Sequence, residues 1–316
     1  MYKSRFTGTA AALSYLLLFQ VLILPIGCST APKPARPNTG SPYLPSYELG
    51  TTYVYSNGSW ETVAGVSPQQ ITWHDHRGNV YRRFPDFTYR SNSWKTSTRQ
   101  GSRQFMARSD VLFPKKTTLW PLQEGNASSF TEMVTSRNLE EPEKSYRRIW
   151  SCEVLGTERV SVMAGEFDTW KIACKRYNNV QNSAKARVRE VRTWNYAPEI
   201  KHYVLTERQY SNGKAAHRLE LLAVLPPMNG ISDLTKRRMN KAFQMALEYK
   251  KRGEPTAWSI PNTSWSGEIT PTGTFRLTDG RFSRRYIQKV NNPKGQRIYY
   301  GLAVRDTKGV WAIPRR

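Results

Sequence analysis

The feature that most constrains the fold of this chain is a run of short segments, between residues 47 and 226, in which apolar and polar residues alternate. The segments are rich in Tyr, Val, Trp and Thr. Clear examples are residues 52–55 (TYVY), 71–75 (ITWHD) and 80–84 (VYRRF), each followed closely by Gly, Asn or Pro. Alternation with a period of two puts every second side chain on one face of a strand, and closely spaced turn residues join strands as hairpins. The pattern predicts that residues 47–226 form an all-β domain of antiparallel strands.

A helical pattern begins only after Gly230. Its apolar side chains recur at helical spacing, at Met239, Ala242, Phe243, Ala246 and Leu247. Ser232 or Asp233 can cap the N-terminus of this helix. Several strand-like segments separated by Asn and Gly follow to the end of the chain. Residues 227–316 are therefore predicted to form a small α+β domain, with one helix packed on an antiparallel meander.

The N-terminus has the pattern of an export signal. Lys3 and Arg5 precede an apolar run over residues 10–27, and Cys28 follows directly after Gly27. A basic start, a short apolar segment and a small residue before the cleavage site are typical of a signal peptide. Gly27 and Cys28 resemble a bacterial lipobox, although the position three before the cysteine holds Pro25. We predict a lipoprotein signal peptide over residues 1–27 and an acyl anchor on Cys28; the alternatives are an uncleaved membrane anchor and ordinary secretion.

The segment after Cys28 has the composition of a spacer. Residues 28–46 contain five prolines together with Gly, Ser and Asn. Such a composition gives an extended, semi-rigid linker rather than a packed element. It predicts a tether that holds the folded part away from a bilayer.

The two remaining cysteines, Cys152 and Cys174, fall within predicted strands. An exported chain reaches an oxidising compartment, where an even pair of cysteines forms a disulfide. The alternative is two free, buried thiols. We predict a Cys152–Cys174 disulfide, which would restrain the unfolded chain by about 3 kcal/mol in the chain-entropy model.

Part of the C-terminal segment resembles a known family. The matching residues are Ala246-Leu247-Glu248, Trp258, Gly267, Thr270-Pro271-Thr272, Gly280, Arg284 to Tyr286, Tyr300-Gly301, Gly309 and Trp311. Over this stretch the chain is similar to the C-terminal domain of the rickettsial seventeen-kilodalton surface antigen family. The resemblance implies an outer-membrane lipoprotein, in agreement with the interpretation of Cys28.

The chain departs from this family in two respects. Members usually carry cysteines at the positions that hold Ser283 and Val304 here. The resemblance therefore implies that a family disulfide is missing as a unit. The family's Gly-rich, membrane-embedded middle segment is also missing, and the β domain stands in its place.

Three short segments in the β domain, 119–122 (LWPL), 164–170 (AGEFDTW) and 193–200 (TWNYAPEI), loosely resemble another group. They are similar to periplasmic β domains of the lipoprotein-localisation-factor type. This resemblance implies a curved antiparallel sheet or half-barrel whose concave face can hold an apolar ligand.

The sequence contains one metal-like cluster, His74-Asp75-His76. Two imidazoles at i and i+2 lie on one face of a strand, but a zinc or copper site needs a third ligand, for which His202 and His217 are the candidates. We interpret the cluster as exposed strand residues rather than a metal site. No catalytic serine, metalloprotease or phosphate-loop motif occurs. The prediction is a protein without a cofactor, a metal site or catalytic residues, and hence not an enzyme; the alternative is an envelope hydrolase whose paired acids the sequence does not reveal.

The charge is the remaining unusual feature. The formal net charge is +24, and residues 232–316 alone hold 18 basic and 6 acidic residues. Such an excess favours a polyanionic partner. In an envelope the candidates are lipopolysaccharide, anionic lipid and acidic polysaccharide; the export signal argues against nucleic acid.

Together these features predict an outer-membrane lipoprotein of the surface antigen type, attached to the membrane through Cys28. Its predicted role in the cell envelope is structural or one of interaction. The alternatives are a periplasmic carrier for a lipid or other apolar ligand and an envelope protein that binds polyanions or peptidoglycan.

Overall fold

The fold was analysed in a computed structural model, which describes residues 40–89, 93–97, 104–111, 118–138, 141–178 and 184–315. The predicted signal peptide, the lipidation site Cys28 and the first part of the tether lie outside these residues. Within the remainder, the predicted fold class is confirmed: the protein is mainly β, with a large antiparallel sheet and one helix.

In the predicted β domain, the residues that the structure describes form twelve strands. They are β1 Thr52–Tyr55, β2 Trp60–Val66, β3 Ile71–Asp75, β4 Val80–Arg83, β5 Ser93–Ser97, β6 Gln104–Val111, β7 Ala127–Asn138, β8 Glu141–Val162, β9 Gly165–Tyr177, β10 Val188–Ala197, β11 His202–Tyr210 and β12 His217–Leu225. Each strand pairs antiparallel with the next along the chain, and β1 also pairs with β12.

Local chemistry explains why these hairpins form where the sequence predicts them. Between β1 and β2, Gly58 adopts a φ of 80°, a conformation that side chains with a Cβ rarely take. Between β3 and β4, the Asp75 carboxylate accepts hydrogen bonds from the backbone N–H groups of Arg77 and Asn79, both at 2.9 Å. Such side-chain bonds hold a turn closed and fix the register of the strands on either side.

The inner face of the sheet is filled by aromatic and aliphatic side chains. Trp73, Phe167, Leu119, Leu122, Ile172 and Leu221 are among the largest fully buried side chains. Neighbouring rings pack edge to face: the Phe87 and Trp120 centroids lie 5.8 Å apart, and those of Trp120 and Tyr196 lie 5.2 Å apart. Close packing of this kind is the main source of folding free energy in a β domain.

The structure joins Cys152 and Cys174 in a disulfide, the pairing that the sequence predicted. The two residues face each other directly on β8 and β9. Both are buried in the core.

The C-terminal part begins with α1 Asp233–Tyr249. Five strands follow: β13 Thr256–Ser259, β14 Ser266–Arg276, β15 Phe282–Asn292, β16 Gly295–Arg305 and β17 Trp311–Ala312. Ser232 is the N-cap of the helix, and its hydroxyl accepts a hydrogen bond from the Thr235 N–H at 3.2 Å. Met239, Ala242, Ala246 and Leu247 of the predicted stripe are buried.

Two arginines fix α1 on the sheet. The Arg284 guanidinium, on β15, donates to the carbonyl oxygens of Leu247 at 2.6 Å and Lys250 at 2.7 Å. These carbonyls lie at the end of the helix, where the last turn leaves acceptors without intrahelical partners. On the next strand, Arg305 forms a two-pronged ion pair with Glu248, with both N–O distances at 2.9 Å.

The β domain and the C-terminal part share hydrogen bonds. Ala223 on β12 pairs with Gly301 on β16. A Cβ added to Gly301 would lie 2.9 Å from that of Ala223, so glycine permits this approach. The predicted boundary between residues 226 and 227 falls in the segment between β12 and α1. The division into two domains stays a prediction.

Candidate functional site

The most polar part of the interior surrounds Glu61 on β2. Along this strand Glu61 and Val63 are buried, while Trp60 and Thr62 are less so. Strand alternation therefore turns the Glu61 carboxylate towards the core, where only 5% of the residue is exposed. A buried carboxylate needs both hydrogen-bond donors and an opposite charge.

Four side chains satisfy the Glu61 carboxylate. The hydroxyls of Tyr55, on β1, and Tyr81, on β4, donate to its two oxygens. Arg83, also on β4, contacts both carboxylate oxygens: its Nη1 lies 3.2 Å from Oε1 and its Nη2 lies 3.2 Å from Oε2. The Tyr203 hydroxyl, from β11, is 3.4 Å from Oε1. The site is thus assembled from strands that are far apart in sequence.

These donors determine the charge of Glu61. Burial alone would raise the pKa of the carboxyl, but the charge of Arg83 and the hydrogen bonds from Tyr55 and Tyr81 outweigh it. The pKa of Glu61 therefore lies below its usual value, and the group is an anion at neutral pH. The Arg83 guanidinium also stacks over the Tyr81 ring, 4.8 Å from its centroid, which holds the cation in place.

His202 extends this network through its two ring nitrogens. It is fully buried, and burial lowers its pKa to about 3, although the charge of Glu61 opposes the shift. The imidazole is consequently neutral near pH 7, with one donor and one acceptor nitrogen. Its Nε2 lies 3.0 Å from the Tyr55 hydroxyl and its Nδ1 lies 3.0 Å from the Tyr47 hydroxyl. Because Tyr55 donates to Glu61, Nε2–H donates to Tyr55 and Nδ1 accepts from Tyr47.

Beside this cluster lies a cavity of about 210 Å³. We call it the Glu61 cavity, and it is lined by Tyr55, Ser59, Trp60, Glu61, Asp75, His76, Tyr81, Arg83, Trp194, Tyr203, Thr206, Arg208, His217 and Leu219. Its deeper wall holds the ion pair and the buried tyrosines. The cavity combines aromatic walls with a few fixed polar groups, which is the usual make-up of a small-molecule site.

The outer rim of the Glu61 cavity carries basic side chains. Arg208 on β11 and His217 on β12 are directly opposite each other, and both are exposed. His76 lines the same rim from the turn after β3. Among the described residues, the Arg208 guanidinium makes no hydrogen bond or ion pair, whereas nearby Arg218 is paired with Glu207 and Glu220. The rim therefore offers a positive charge that the fold itself does not use.

This arrangement is suited to binding rather than proton transfer. A general acid or base works best with a pKa near the working pH. Glu61 is held as an anion by its four partners, and His202 is held neutral by burial. Both groups thus have settled protonation states near pH 7 and act as fixed hydrogen-bonding groups.

Of the four histidines that the sequence considered for a metal site, His76 and His217 line the Glu61 cavity, whereas His74 and His202 do not. His74 is exposed on β3, and Asp75 is engaged in the turn that follows. His202 has both ring nitrogens in hydrogen bonds to tyrosines, so it has no free ligand atom. Within the described ranges no group of three or more potential metal ligands occurs.

Sequence reasoning missed the Glu61 cluster. The available signal was an acidic residue two positions before Val63, on the face of β2 that also carries that apolar side chain. Its partners gave no such signal, because Tyr203 lies 142 positions away from Glu61 along the chain.

Comparison with known proteins finds relatives for one part of the chain. No family model matches. The "17 kDa surface antigen" of Rickettsia felis is 31% identical over 84 residues, and that of Rickettsia prowazekii is 32% identical over 78 residues. These matches cover 27% and 25% of this chain and 53% and 49% of the relatives. The chain thus spans about half the length of these relatives, and the predicted resemblance to the surface antigens is confirmed.

Among solved structures, a hypothetical lipoprotein, YmcC, of Escherichia coli aligns with a TM-score of 0.34 and 7% identity. The alignment covers 54% of this chain and 82% of that one. In the part of this chain that the structure describes, no helix has the length and apolar character needed to cross a membrane.

Proposed function

We propose that this protein is an outer-membrane lipoprotein of the surface antigen type, anchored by acyl chains on Cys28. The observation that carries the proposal is the 84-residue match to proteins named as surface antigens. The Gly27-Cys28 pair after an apolar segment supports it independently, because acylation of that cysteine would supply the membrane anchor. Each buried CH₂ of such a chain adds about 0.8 kcal/mol of membrane affinity.

Its role is one of interaction in the cell envelope, without catalysis. The character of the Glu61 cavity supports this role over that of an apolar carrier. Phe87 contacts the rings of Trp120, Trp194, Tyr196 and Tyr203, so aromatic side chains fill the interior beside this cavity. The Glu61 cavity is polar at its base and suits a polar ligand better.

The partners that fit the protein's charge are polyanions of the envelope. Residues 232–316 carry a net charge of +12, and the rim of the Glu61 cavity adds Arg208. Lipopolysaccharide, anionic lipid and acidic polysaccharide all present phosphates or carboxylates to such a surface.

Metabolic labelling with an alkyne analogue of palmitate tests the anchor. Wild-type protein expressed in a Gram-negative host should incorporate the label and fractionate with the outer membrane. Cys28→Ser should lose both properties, whereas the neighbouring Ser29→Ala variant should keep the label. A wild-type chain that stays unlabelled and soluble would overturn the proposal.

A further inference from the structure

The wall of the Glu61 cavity contains a buried ion pair whose presence is not explained by stability alone. Burying an ion pair such as Glu61–Arg83 costs several kcal/mol per ion, and replacing one with packed apolar side chains is often neutral or stabilising. Here the pair lies at a cavity wall beside the hydroxyls of Tyr55, Tyr81 and Tyr203. Fixed polar groups of this kind, facing an open space, are typical of a site that recognises a polar ligand.

The size and walls of the cavity restrict the ligand further. A volume of about 210 Å³ is below the ~300–1,000 Å³ typical of sites for drug-sized molecules, so it admits one small ring rather than an extended chain. Trp194 and the tyrosine rings line the cavity with flat apolar surface, and the tyrosine hydroxyls, whose hydrogens are donated to Glu61, can accept hydrogen bonds. A sugar ring has this combination, with apolar C–H faces and a polar hydroxyl edge.

The basic side chains at the rim of the cavity favour a ligand with a negative charge. The Glu61–Arg83 pair is neutral as a unit, and the Asp75 carboxylate is occupied by the turn that it closes. The unpaired cation at the rim is Arg208, with His76 and His217 beside it. A guanidinium binds a carboxylate or a phosphate through two parallel hydrogen bonds.

From these observations we infer that the Glu61 cavity binds a single sugar unit that carries an anionic group. Arg208 contacts the anionic group, and the tyrosine hydroxyls and Trp194 contact the ring. The inference rests on the proposed envelope location, because acidic polysaccharides and the phosphorylated sugars of lipopolysaccharide present such units there.

Isothermal titration calorimetry on the full acylated chain tests the inference. The protein is held in lauryldimethylamine oxide, a detergent without sugar or phosphate. The probes are D-glucuronate, glucose 6-phosphate, D-glucose and inorganic phosphate. We expect at least one of the two anionic sugars to bind at least tenfold more tightly than both glucose and phosphate. The preferred anionic sugar shows whether the source carries a carboxylate or a phosphate.

Variants assign the binding to the cavity. Arg208→Gln should weaken binding of the anionic sugar at least tenfold, and Arg208→Lys should restore part of it, because lysine keeps the charge but loses the paired geometry. Arg238→Gln, on the exposed face of α1, removes the same charge away from the cavity and should bind like wild type. Tyr203→Phe should weaken binding without changing the preference for an anion.

Three results would overturn the inference: no binding of either anionic sugar, inorganic phosphate bound as tightly as the sugars, or an Arg208→Gln variant that binds like Arg238→Gln. The palmitate label on the same preparation is an independent readout. If the protein carries the label but does not bind an anionic sugar, the sugar site is wrong and the anchor stands. If the protein binds the sugar but carries no label, the anchor is wrong and the sugar site stands.

Discussion

In two buried pairs of residues in this protein, the two members lie directly opposite each other on neighbouring strands. Cys152 and Cys174 join β8 to β9 by a covalent bond. Ser283 and Val304 occupy the same relation on β15 and β16, without such a bond. The surface antigen family, as the resemblance implies, places cysteines at the second pair of positions. Their direct opposition here explains how that family can form a disulfide there.

The second region depends on polar contacts instead. Arg284 holds the end of α1, and Glu248 binds both Arg305 and the Trp311 indole N–H, the latter at 2.8 Å. The Gln244 side chain adds two hydrogen bonds to the Trp311 backbone, at 2.8 and 2.9 Å. The comparison teaches that the β8–β9 pair carries a covalent restraint on the unfolded chain, whereas α1, β15 and β16 are joined by non-covalent interactions made in the folded state.

Removing the covalent restraint should have the largest effect. Cys152→Ala/Cys174→Ala opens a loop with a sequence separation of 22, for which the chain-entropy model gives a loss of about 3 kcal/mol in the free energy of unfolding. Urea denaturation followed by tryptophan fluorescence measures it. The matched pair, Ser283→Ala/Val304→Ala, loses side-chain packing and the weak Ser283–Phe275 hydrogen bond but keeps the disulfide. An equal dependence of both variants on added reductant would contradict the distinction.

Removing the helix anchor should come next. Arg284→Met keeps a flexible apolar stem but removes the guanidinium, which leaves carbonyls at the end of α1 without donors, at a cost of about 2 kcal/mol. Circular dichroism at 222 nm during denaturation reports the change. Arg281→Met, in the exposed turn before β15, should stay within about 0.5 kcal/mol of wild type. If the two variants are equally stable, Arg284 does not anchor the helix.

Restoring a covalent link in the second region should stabilise it. Ser283→Cys/Val304→Cys places thiols at directly opposite, buried positions, and we expect a gain of about 1–2 kcal/mol over the reduced form. Mass spectrometry under non-reducing conditions verifies the bond, and thermal unfolding with and without reductant gives the gain. A double variant whose thiols remain free would show that this pair lacks the geometry of a disulfide.

The smallest expected effect is a pH dependence in the second region. Hydrogen bonds from Arg305 and then Trp311 hold the pKa of Glu248 below its usual value. A carboxyl whose pKa is depressed by folding stabilises the protein above its unfolded pKa of ~4.3 and loses that contribution as the pH falls through the folded value. Glu248→Gln should therefore be less stable than wild type by about 0.5–1 kcal/mol at pH 7, and the difference should shrink below pH 4. A difference that does not change between these pH values would contradict this account.

The sequence could predict the parts of this fold that depend on neighbours along the chain. Alternation and turn residues located β1, β3 and β4, and the spacing of Met239 to Leu247 located α1. The pair of cysteines that remains once Cys28 is assigned to acylation suggested the disulfide. The strand and helix patterns can be recognised within a few neighbouring residues, and the disulfide follows from the oxidising compartment that an exported chain reaches. The Arg284 anchor was not predicted, because a cation on a strand does not reveal which helix end it will meet.

The Glu61 cluster shows the same limit more clearly. Arg83 lies 22 positions from Glu61, and His202 lies 147 positions from Tyr55. These residues meet in space only because β1 pairs with β2 on one side and with β12 on the other, and β11 lies next to β12. Hydrophobic alternation assigns a residue to a face of the sheet, but it does not say which strand will lie beside it.

The pairing of β1 with β12 also determines the order in which the protein can be completed. A chain that emerges from a translocation channel N-terminus first presents Thr52–Tyr55 long before Leu221–Leu225 is available to pair with it. During that interval one edge of β1 has no partner, and Glu61 has β4 beside it but not β11. Contacts between residues so far apart in sequence make folding slow. The Glu61 site can therefore be completed only after β11 and β12 have emerged and paired with the earlier strands.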